Sequence, residues 1–555
     1  MSGKLVQLES GNDASKTPGN VVPKSRDVPP LSERIIDDAV NETGFGRFNL
    51  KIMAVSSMIF MNVAFSITSI ALILPAAACD FKMTTVDKGR LSAAPMLGMI
   101  VGSYFWGCYA AIKGRRRALL VTLLLHGISE FLASLIRSYW LFLFLKFVNG
   151  AAMNGQTAVI FMYLGEFQPT KYRNKMLSWM EMAWVIGMLV LTCVGWLIIP
   201  LTINIDILGL NFRSWNFFVM VCSFPALISG VLLLFLPETP KYLAETCQYG
   251  KMLKVLQIMY AENTNESPKE YLTKVKNSGN INLVNVINQL SDNIAKEEVQ
   301  MKSLRIMIRQ ILANTIEIMR GPFITRTFAM CLIFSFVASS YYMLTLWLPE
   351  VFHRYADFEE LYPNVSASVC TLSRNNNLTV AVDISDYAFG CHTPIQDDVF
   401  LDTFILGASC IPVAFVLPIF VNCLGYKYLL VMMTSISAVS TICLFWVGSS
   451  FQNLIVSCIF ESAVSASANI VYCLLVDLYP TNLRAMAAGL TGFISRVGAL
   501  IGNLLVGYLI DDHCVLLIII VAAQLFGSAI LALLLPGKKK VEVADAVKSN
   551  EVTMS

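Results

Sequence analysis

Long apolar blocks, each close to the length of a membrane-spanning helix, recur through this 555-residue sequence. A helix needs about 20 mainly apolar residues to cross roughly 30 Å of bilayer hydrocarbon. Twelve such blocks are predicted, at 52–75, 91–111, 118–136, 140–164, 176–200, 215–236, 323–348, 400–424, 428–448, 453–476, 485–510 and 514–536. They lack the polar face of a soluble amphipathic helix. The sequence therefore predicts an all-α membrane protein.

The composition excludes several classes of function. Hydrophobic residues make up 56% of the chain and charged residues 14%, whereas soluble chains carry about 25% charged residues. The formal net charge is only +3, so no strong overall field attracts an acidic partner. A disordered chain, a nucleic-acid-binding protein and an ordinary cytosolic enzyme are therefore not expected.

Basic residues favour one side of the predicted spans. They cluster before the first span and after the second, fourth and twelfth spans, for example at Lys113, Arg115, Arg116, Arg117, Lys171, Arg173, Lys175, Lys538, Lys539 and Lys540. Cytoplasmic loops carry an excess of Lys and Arg. Both termini are therefore predicted to be cytoplasmic, in a multi-pass protein of the plasma membrane or a vesicle membrane.

The spans form two sets of six around a charged central stretch. The expected segments are a flexible cytoplasmic tail at 1–45, a first bundle at 46–237, a cytoplasmic central loop with surface helices at 238–322, a second bundle at 323–536 and a cytoplasmic tail at 537–555. The tails have few large apolar residues with which to form a core. Within the central loop, Leu, Ile and Met recur at helical spacing among charged residues.

A loop at 349–399 is expected on the non-cytoplasmic side. It contains two sequons, at Asn364 and Asn377, which are predicted glycosylation sites. It also contains two cysteines, Cys370 and Cys391. A disulfide bond between them is the favoured prediction in an oxidising compartment, with two unpaired thiols as the alternative.

Several short motifs resemble one known family when their order is considered. They are the run from Gly98 to Gly107 ending in Gly114-Arg115-Arg116, the run from Leu177 to Gly187, Ser214-Trp215, Pro237-Glu238-Thr239-Pro240-Lys241, and the run from Ser340 to Pro349. Together they resemble the synaptic vesicle glycoprotein 2 family within the major facilitator superfamily. The resemblance implies a major facilitator fold of twelve transmembrane helices in two six-helix bundles, with a solute site between the bundles.

The loop after the second span departs from the family pattern. Its Asp and Arg positions are occupied by Ala111 and Ile112. In the family this loop pairs charges across helices and helps to close the cytoplasmic gate. The residues that keep the pattern are Gly107, Lys113, Gly114, Arg115 and Arg116. They are candidates for the cytoplasmic gate loop, although they can instead serve only to orient the helix.

Four charged residues lie well inside predicted spans, where an ionised group costs about 2.5–3.5 kcal/mol. Glu130 and Lys146 lie at similar depth in the third and fourth spans. They are predicted either to form an ion pair that locks this hairpin or to leave Lys146 facing the solute path. Arg496 and Glu461, in the eleventh and tenth spans, are predicted either to pair or to leave Arg496 free to bind an anionic group.

Other polar residues complete the candidate solute path. They are Asn62, Ser66, Tyr341, Tyr342, Thr345, Ser465 and Asn469. Each of them alone more often serves helix packing than ligand contact, because polar side chains commonly join membrane helices. The first span lacks the acidic residues usual in relatives, which disfavours proton coupling and leaves Glu130, Glu461 and Glu181 as the only buried candidates.

We therefore expect a secondary-active or facilitative transporter of a small organic solute that works by alternating access, and Arg496 and Lys146 favour an anion or a zwitterion. The alternative is a membrane protein with this fold and little transport activity that acts in vesicle or surface trafficking. No catalytic set or metal-ligand spacing is visible, so neither enzyme activity nor a cofactor is expected. The expected partners are a small-molecule solute and lipid, without nucleic acid, for a chain acting as a monomer.

Overall fold

The computed structural model describes residues 33–207, 210–277, 284, 316, 318–319, 323–361, 366, 368–374, 395–479 and 481–535. The predicted glycosylation sites Asn364 and Asn377 lie outside these residues. So do Cys391, most of both predicted tails and most of the second half of the central loop.

In the first half of the chain, the described residues begin with a short helix and continue with six long ones. These elements are α1 (Glu33–Asn41), α2 (Arg47–Ala76), α3 (Thr85–Lys113), α4 (Arg115–Ala133), α5 (Tyr139–Phe167), α6 (Thr170–Ile198) and α7 (Ser214–Leu234). An antiparallel hairpin of β1 (Asn204–Ile207) and β2 (Leu210–Arg213) connects α6 to α7. Three shorter helices follow: α8 (Pro240–Glu245), α9 (Tyr249–Thr264) and α10 (Glu270–Asn277).

The described residues of the second half contain eight further helices. They are α11 (Ile324–Thr345), α12 (Leu348–Leu361), α13 (Val369–Arg374), α14 (Asp397–Ala408), α15 (Cys410–Cys443), α16 (Ser450–Leu478), α17 (Thr481–Leu509) and α18 (Cys514–Leu534). Gly425 breaks α15 with φ of 73°, a left-handed conformation that glycine adopts without a Cβ clash. The break separates the two spans predicted at 400–424 and 428–448.

Most of the long helices meet the length and apolarity of a membrane span. Nine helices in the described residues do so, and a tenth if the bent α3 counts as one span. Each predicted span coincides with one of the long helices or helix segments given above. The molecule is an all-α membrane protein with the two six-helix bundles of the major facilitator fold.

Close glycine packing holds the helices of the first bundle together. A Cβ atom at Gly102 would lie 2.7 Å from the Ala151 carbonyl oxygen, and Gly98 faces the same helix at Phe147. Small residues let membrane helices approach this closely. The four-residue spacing of Gly98 and Gly102 therefore serves the contact between α3 and α5.

The two ends of the helix bundle differ in what covers them. At one end, here called the tail end, α1 and α8–α10 pack below the helices, and the Tyr271 hydroxyl donates to the Ala39 carbonyl at 2.9 Å. At the opposite end, here called the hairpin end, Arg213 of the β-hairpin pairs with Asp80 at 2.6 Å. Helix α12 lies at the same end, because its Glu350 pairs with Lys88 near the start of α3. The turn between α17 and α18 lies there too, because its Asp511 pairs with Arg354 of α12.

The predicted partner of Cys370 is wrong. Cys370 on α13 forms a disulfide bond with Cys514, the first residue of α18, across a Cα–Cα distance of 5.3 Å. Helix α13 packs against α18 at the hairpin end, which brings together two cysteines 144 residues apart. Cys79 is also disulfide-bonded. Packing at the hairpin end, not closeness in sequence to Cys391, decides the pairing of Cys370.

Candidate functional site

A buried ion pair lies inside the first bundle. Lys146 Nζ on α5 donates to Glu130 Oε1 on α4 at 2.5 Å, and both side chains are 1% exposed. Asn149 Nδ2 donates to the second carboxylate oxygen at 2.6 Å. Of the two interpretations offered by the sequence, the hairpin ion pair is the one formed, so the charge of Lys146 is neutralised by Glu130.

A hydrogen-bond network extends this pair across three helices, α2, α4 and α5. Ser66 on α2 donates to Asn149 Oδ1 at 2.9 Å. Asn62 Nδ2 donates to Gln156 Oε1 at 3.0 Å and lies 3.2 Å from His126 Nδ1. The two predicted path residues of α2 are therefore fully buried and bonded within their own bundle.

The network also contains Asn149, His126 and Gln156, which were not among the predicted site residues. The only available signal is that each interrupts an otherwise apolar block. Two atoms of this network, Asn62 Oδ1 and His126 Nε2, have no hydrogen-bond partner among the described residues.

The second bundle carries its own buried carboxyl. Glu461 on α16 is fully buried, and Thr345 Oγ1 on α11 donates to its Oε2 at 2.6 Å. Tyr341, one turn earlier on α11, interacts electrostatically with the same carboxyl and also contacts Trp184 of α6. Trp184 packs on the apolar cores of both bundles. This group therefore lies where the two bundles meet.

Arg496 does not pair with Glu461. Its Nη1 instead donates to the Tyr342 hydroxyl at 3.2 Å, and the guanidinium also faces Tyr472. No carboxylate forms an ion pair with Arg496 within the described part of the chain. The Arg496 side chain is half-buried. The alternative predicted from the sequence, an arginine without a carboxylate partner, is the one that this geometry supports.

The remaining polar candidates lie along α16. Ser465 forms a side-chain hydrogen bond with Cys410 of α15. Asn469 is half-buried one turn further on. The Glu181 side chain lies outside the residues that the structure describes.

At the hairpin end, a charged network joins the two bundles. Lys88 of α3 pairs with Glu350 of α12 at 2.5 Å, and their side chains are 12% and 4% exposed. Arg354 pairs with Glu350 at 3.2 Å and with Asp511 at 3.0 Å. This network was not predicted, because its members come from three distant segments of the chain.

A contact between two glycines lies beside this network. A Cβ atom at Gly89 would stand 2.7 Å from the Gly507 Cα atom. Helices α3 and α17, from different bundles, therefore touch through their backbones at the hairpin end. Only residues without side chains allow this approach.

At the tail end, the candidate gate loop bonds within the first bundle. Arg115 is 7% exposed and contacts Glu166 at 3.1 Å and Glu245 at 3.4 Å. The Arg116 backbone N–H donates to Glu238 Oε1 at 3.0 Å. Burial raises the pKa of the Glu238 carboxyl above its ordinary value, although the N–H groups of Arg116 and Thr239 oppose that rise.

The glycines and the lysine of the gate loop have different surroundings. Gly114 adopts φ of 102° between α3 and α4, directly against Glu238. Lys113 is exposed, and a Cβ atom at Gly107 would meet nothing within 4 Å. The loop therefore fixes the α3–α4 turn onto α5 and α8.

Two six-helix bundles joined by a buried charged network at the hairpin end have the architecture of a membrane transporter of the major facilitator class. The chain matches the model of the family "Sugar (and other) transporter" over residues 57–352, more than half of its length. It belongs to that family.

Individual relatives agree with this assignment. The chain is 24% identical to human synaptic vesicle glycoprotein 2B over 90% of its own length and 84% of the relative's. It is 24% identical to human synaptic vesicle glycoprotein 2C over 90% and 80% of the two lengths. The inward-open xylose transporter of E. coli matches the fold with a TM-score of 0.59 at 14% identity, covering 89% of this chain and 99% of that one.

Proposed function

We propose that this transporter moves a small organic anion or zwitterion by alternating access between its two bundles. The observation that carries the proposal is the network of Lys88, Glu350, Arg354 and Asp511, whose side chains join the bundles at the hairpin end. Such contacts can break and re-form when one bundle rocks against the other. The conformation described here is then the one closed at the hairpin end.

We assign the hairpin end to the non-cytoplasmic side. Disulfide bonds persist in oxidising compartments, and the bond between Cys370 and Cys514 lies at this end. The basic gate loop with Arg115 and Arg116 lies at the opposite end, as the excess of positive charge in cytoplasmic loops would require. Both termini are then cytoplasmic.

Arg496 is the residue that favours a solute with a negatively charged group. Lys146, the other buried cation, is neutralised by Glu130. Arg496 lies in the second bundle with only a tyrosine hydroxyl as its hydrogen-bond partner in the described residues. A planar guanidinium binds carboxylate and phosphate groups with two parallel hydrogen bonds. A solute carboxylate or phosphate could replace the contact with Tyr342.

Uptake into proteoliposomes tests the substrate class. The panel contains small carboxylates, amino acids, sugars and organic cations. We expect uptake of an anion or zwitterion, abolished in Arg496→Gln and retained in the matched control Arg117→Gln, which changes an arginine of the α3–α4 turn. Uptake of sugars or cations alone, unaffected by Arg496→Gln, would contradict the proposed class.

Glu350→Gln tests closure at the hairpin end. The change leaves Lys88 and Arg354 without their shared carboxylate, and removing one partner of a buried pair costs about 3–5 kcal/mol. The population should shift toward a form open at this end, seen as a longer distance between spin labels on α3 and α17. The control Glu262→Gln removes only an exposed pair with Lys51. An unchanged distance in Glu350→Gln would argue against a gating role for the network.

Gly507→Ala tests the same closure without altering charge. The added methyl group must push α3 and α17 apart, since Gly89 already touches this position. The control Gly489→Ala is on the same helix, where a Cβ would meet nothing within 4 Å. We expect only Gly507→Ala to increase the α3–α17 distance; equal effects of the two variants would contradict the model.

The trafficking role remains the second candidate. The observation that favours it is the gate loop, whose two arginines contact carboxylates and backbone of their own bundle in the described structure. If the chain acts in trafficking and has no transport activity, Arg496→Gln should change neither its cellular localisation nor its effect on vesicle or surface trafficking. A transport defect in that variant would exclude this candidate.

A further inference from the structure

Glu461 is a buried carboxyl without an ionic partner. Thr345 supplies one hydrogen bond to Oε2, while Oε1 has no partner among the described residues. No Lys, Arg or His of the described chain forms an ion pair with it. An isolated carboxylate in such a place is strongly disfavoured, and the group takes up a proton instead.

The neighbours of Glu461 do not supply a compensating positive charge. The titratable groups that face it are Tyr341 of α11, Cys410 of α15 and Cys458 of α16 itself. Asp402 of α14 in turn faces Cys458. The Tyr341 hydroxyl also hydrogen-bonds the carboxyl, but these groups are neutral or acidic, so none of them supplies a positive charge to an ionised Glu461.

A polar strip connects Glu461 with the hairpin end. Asn453 and Ser457 precede it on α16 by eight and four residues, so all three lie on one helix face. At 1.5 Å per residue the strip is about 12 Å long. It starts near the first turn of α16, where the Ser450 N–H donates to Glu359 of α12 at 2.9 Å.

The strip consists of polar atoms that lack protein partners. Asn453 and Ser457 are fully buried. Both side-chain polar atoms of Asn453 and the Ser457 hydroxyl have no hydrogen-bond partner within the described residues. Buried polar groups of this kind ordinarily bind water. The strip therefore offers donors and acceptors at successive turns between the hairpin end and Glu461 Oε1.

We infer that Glu461 is a proton-binding site reached from the hairpin end along the Asn453–Ser457 strip. A proton from water at that end forms the O–H bond at Oε1, and the same bond breaks when the carboxyl returns the proton to water. The Thr345 hydroxyl donates to Oε2 in both states. Proton binding stands without the proposed transport function, whereas its use in coupling rests on that function.

Carbodiimide labelling of the full-length protein tests proton binding directly, because the reagent modifies protonated carboxyls in membranes. The protein in lipid vesicles is labelled over a series of pH values, and the modified peptides are identified by mass spectrometry. We expect Glu461 to be labelled, with a yield that falls as pH rises. Glu130, equally buried but paired with Lys146, is the matched control and should stay unmodified. Failure to label Glu461 at any pH, or equal labelling of Glu130, overturns the inference.

Labelling in intact cells tests the access route. External pH is varied while ionophores hold cytosolic pH constant. We expect Glu461 labelling to follow external pH, and to lose this response in Asn453→Leu/Ser457→Ala; the single variant Ser457→Ala provides a milder test if the double variant does not fold. Labelling that follows cytosolic pH, or that is unaffected in a folded double variant, overturns the route. None of these results depends on solute uptake, so a failed transport assay cannot be mistaken for a failed proton site.

Discussion

Each of the two bundles buries a glutamate inside the membrane, but the two glutamates have different hydrogen-bond and ionic partners. Glu130 in the first bundle has a lysine and an asparagine on its two oxygens. Glu461 in the second bundle has only hydroxyl partners, Thr345 and Tyr341, and an oxygen without a described partner. A paired charge inside a bundle is a structural element, whereas an unpaired carboxyl can change its protonation state. The comparison teaches that burial alone does not separate a structural charge from a functional one.

Lys146→Met should have the largest effect on stability of the substitutions that test this difference between the bundles. The change leaves the Glu130 carboxylate buried without its cation, and we expect a loss of about 3–5 kcal/mol of stability. Unfolding in detergent, followed by SDS titration, measures the loss. The double variant Glu130→Gln/Lys146→Met should recover most of it. If Lys146→Met is as stable as the wild type, the pair is not structural.

Asn149→Leu removes the second donor to Glu130. It also deprives Ser66 of its acceptor. An unsatisfied buried polar group costs about 1–3 kcal/mol, so the variant should unfold at lower SDS concentration than the wild type, but less so than Lys146→Met. A larger loss in Asn149→Leu than in Lys146→Met would reverse the assignment of the main stabilising partner.

Thr345→Val tests the surroundings of Glu461 in the second bundle. It removes the hydroxyl that donates to Glu461 while keeping the shape of the side chain. A single hydrogen bond contributes about 0.5–1.5 kcal/mol, and the loss of stability should fall in that range by the same titration. A loss as large as that of Lys146→Met would mean that Glu461 is held as an ionised, structural group.

Glu461→Gln should have the smallest effect on stability. A neutral amide replaces a carboxyl that we infer to be neutral already and can still accept from Thr345, so the change should cost at most about 0.5 kcal/mol, the lower end of what one hydrogen bond contributes. The matched substitution Glu130→Gln leaves Lys146 uncompensated and should destabilise clearly. Equal effects of the two substitutions in SDS titration would remove the distinction between the bundles.

The span pattern could be predicted from the sequence because hydrocarbon imposes a local requirement. Every predicted block has its helix, including 400–424 and 428–448, which the structure separates at Gly425. The contact of Glu130 with Lys146 could also be predicted from the sequence, because adjacent antiparallel helices bring residues of equal depth together.

Partners from distant segments could not be predicted. Glu461 and Arg496 lie on neighbouring helices, yet each side chain turns to a different residue of α11, Thr345 and Tyr342. The rotation of each helix about its own axis decides which neighbour a side chain contacts. The sequence indicates how deep a residue lies in the membrane, but it does not indicate this rotation. The same reason explains why Lys88, Glu350 and Asp511 were missed and why Cys370 was assigned the wrong partner.

The sequence by itself determined that the chain is a bundle of membrane helices and which charged residues the membrane buries, because the cost of placing each residue in hydrocarbon depends on that residue and its immediate neighbours. Only the tertiary structure decided which of those charges are neutralised and which residues join the two bundles at the hairpin end. Those outcomes depend on which helix faces stand against each other, and that is fixed by packing among segments far apart in the chain.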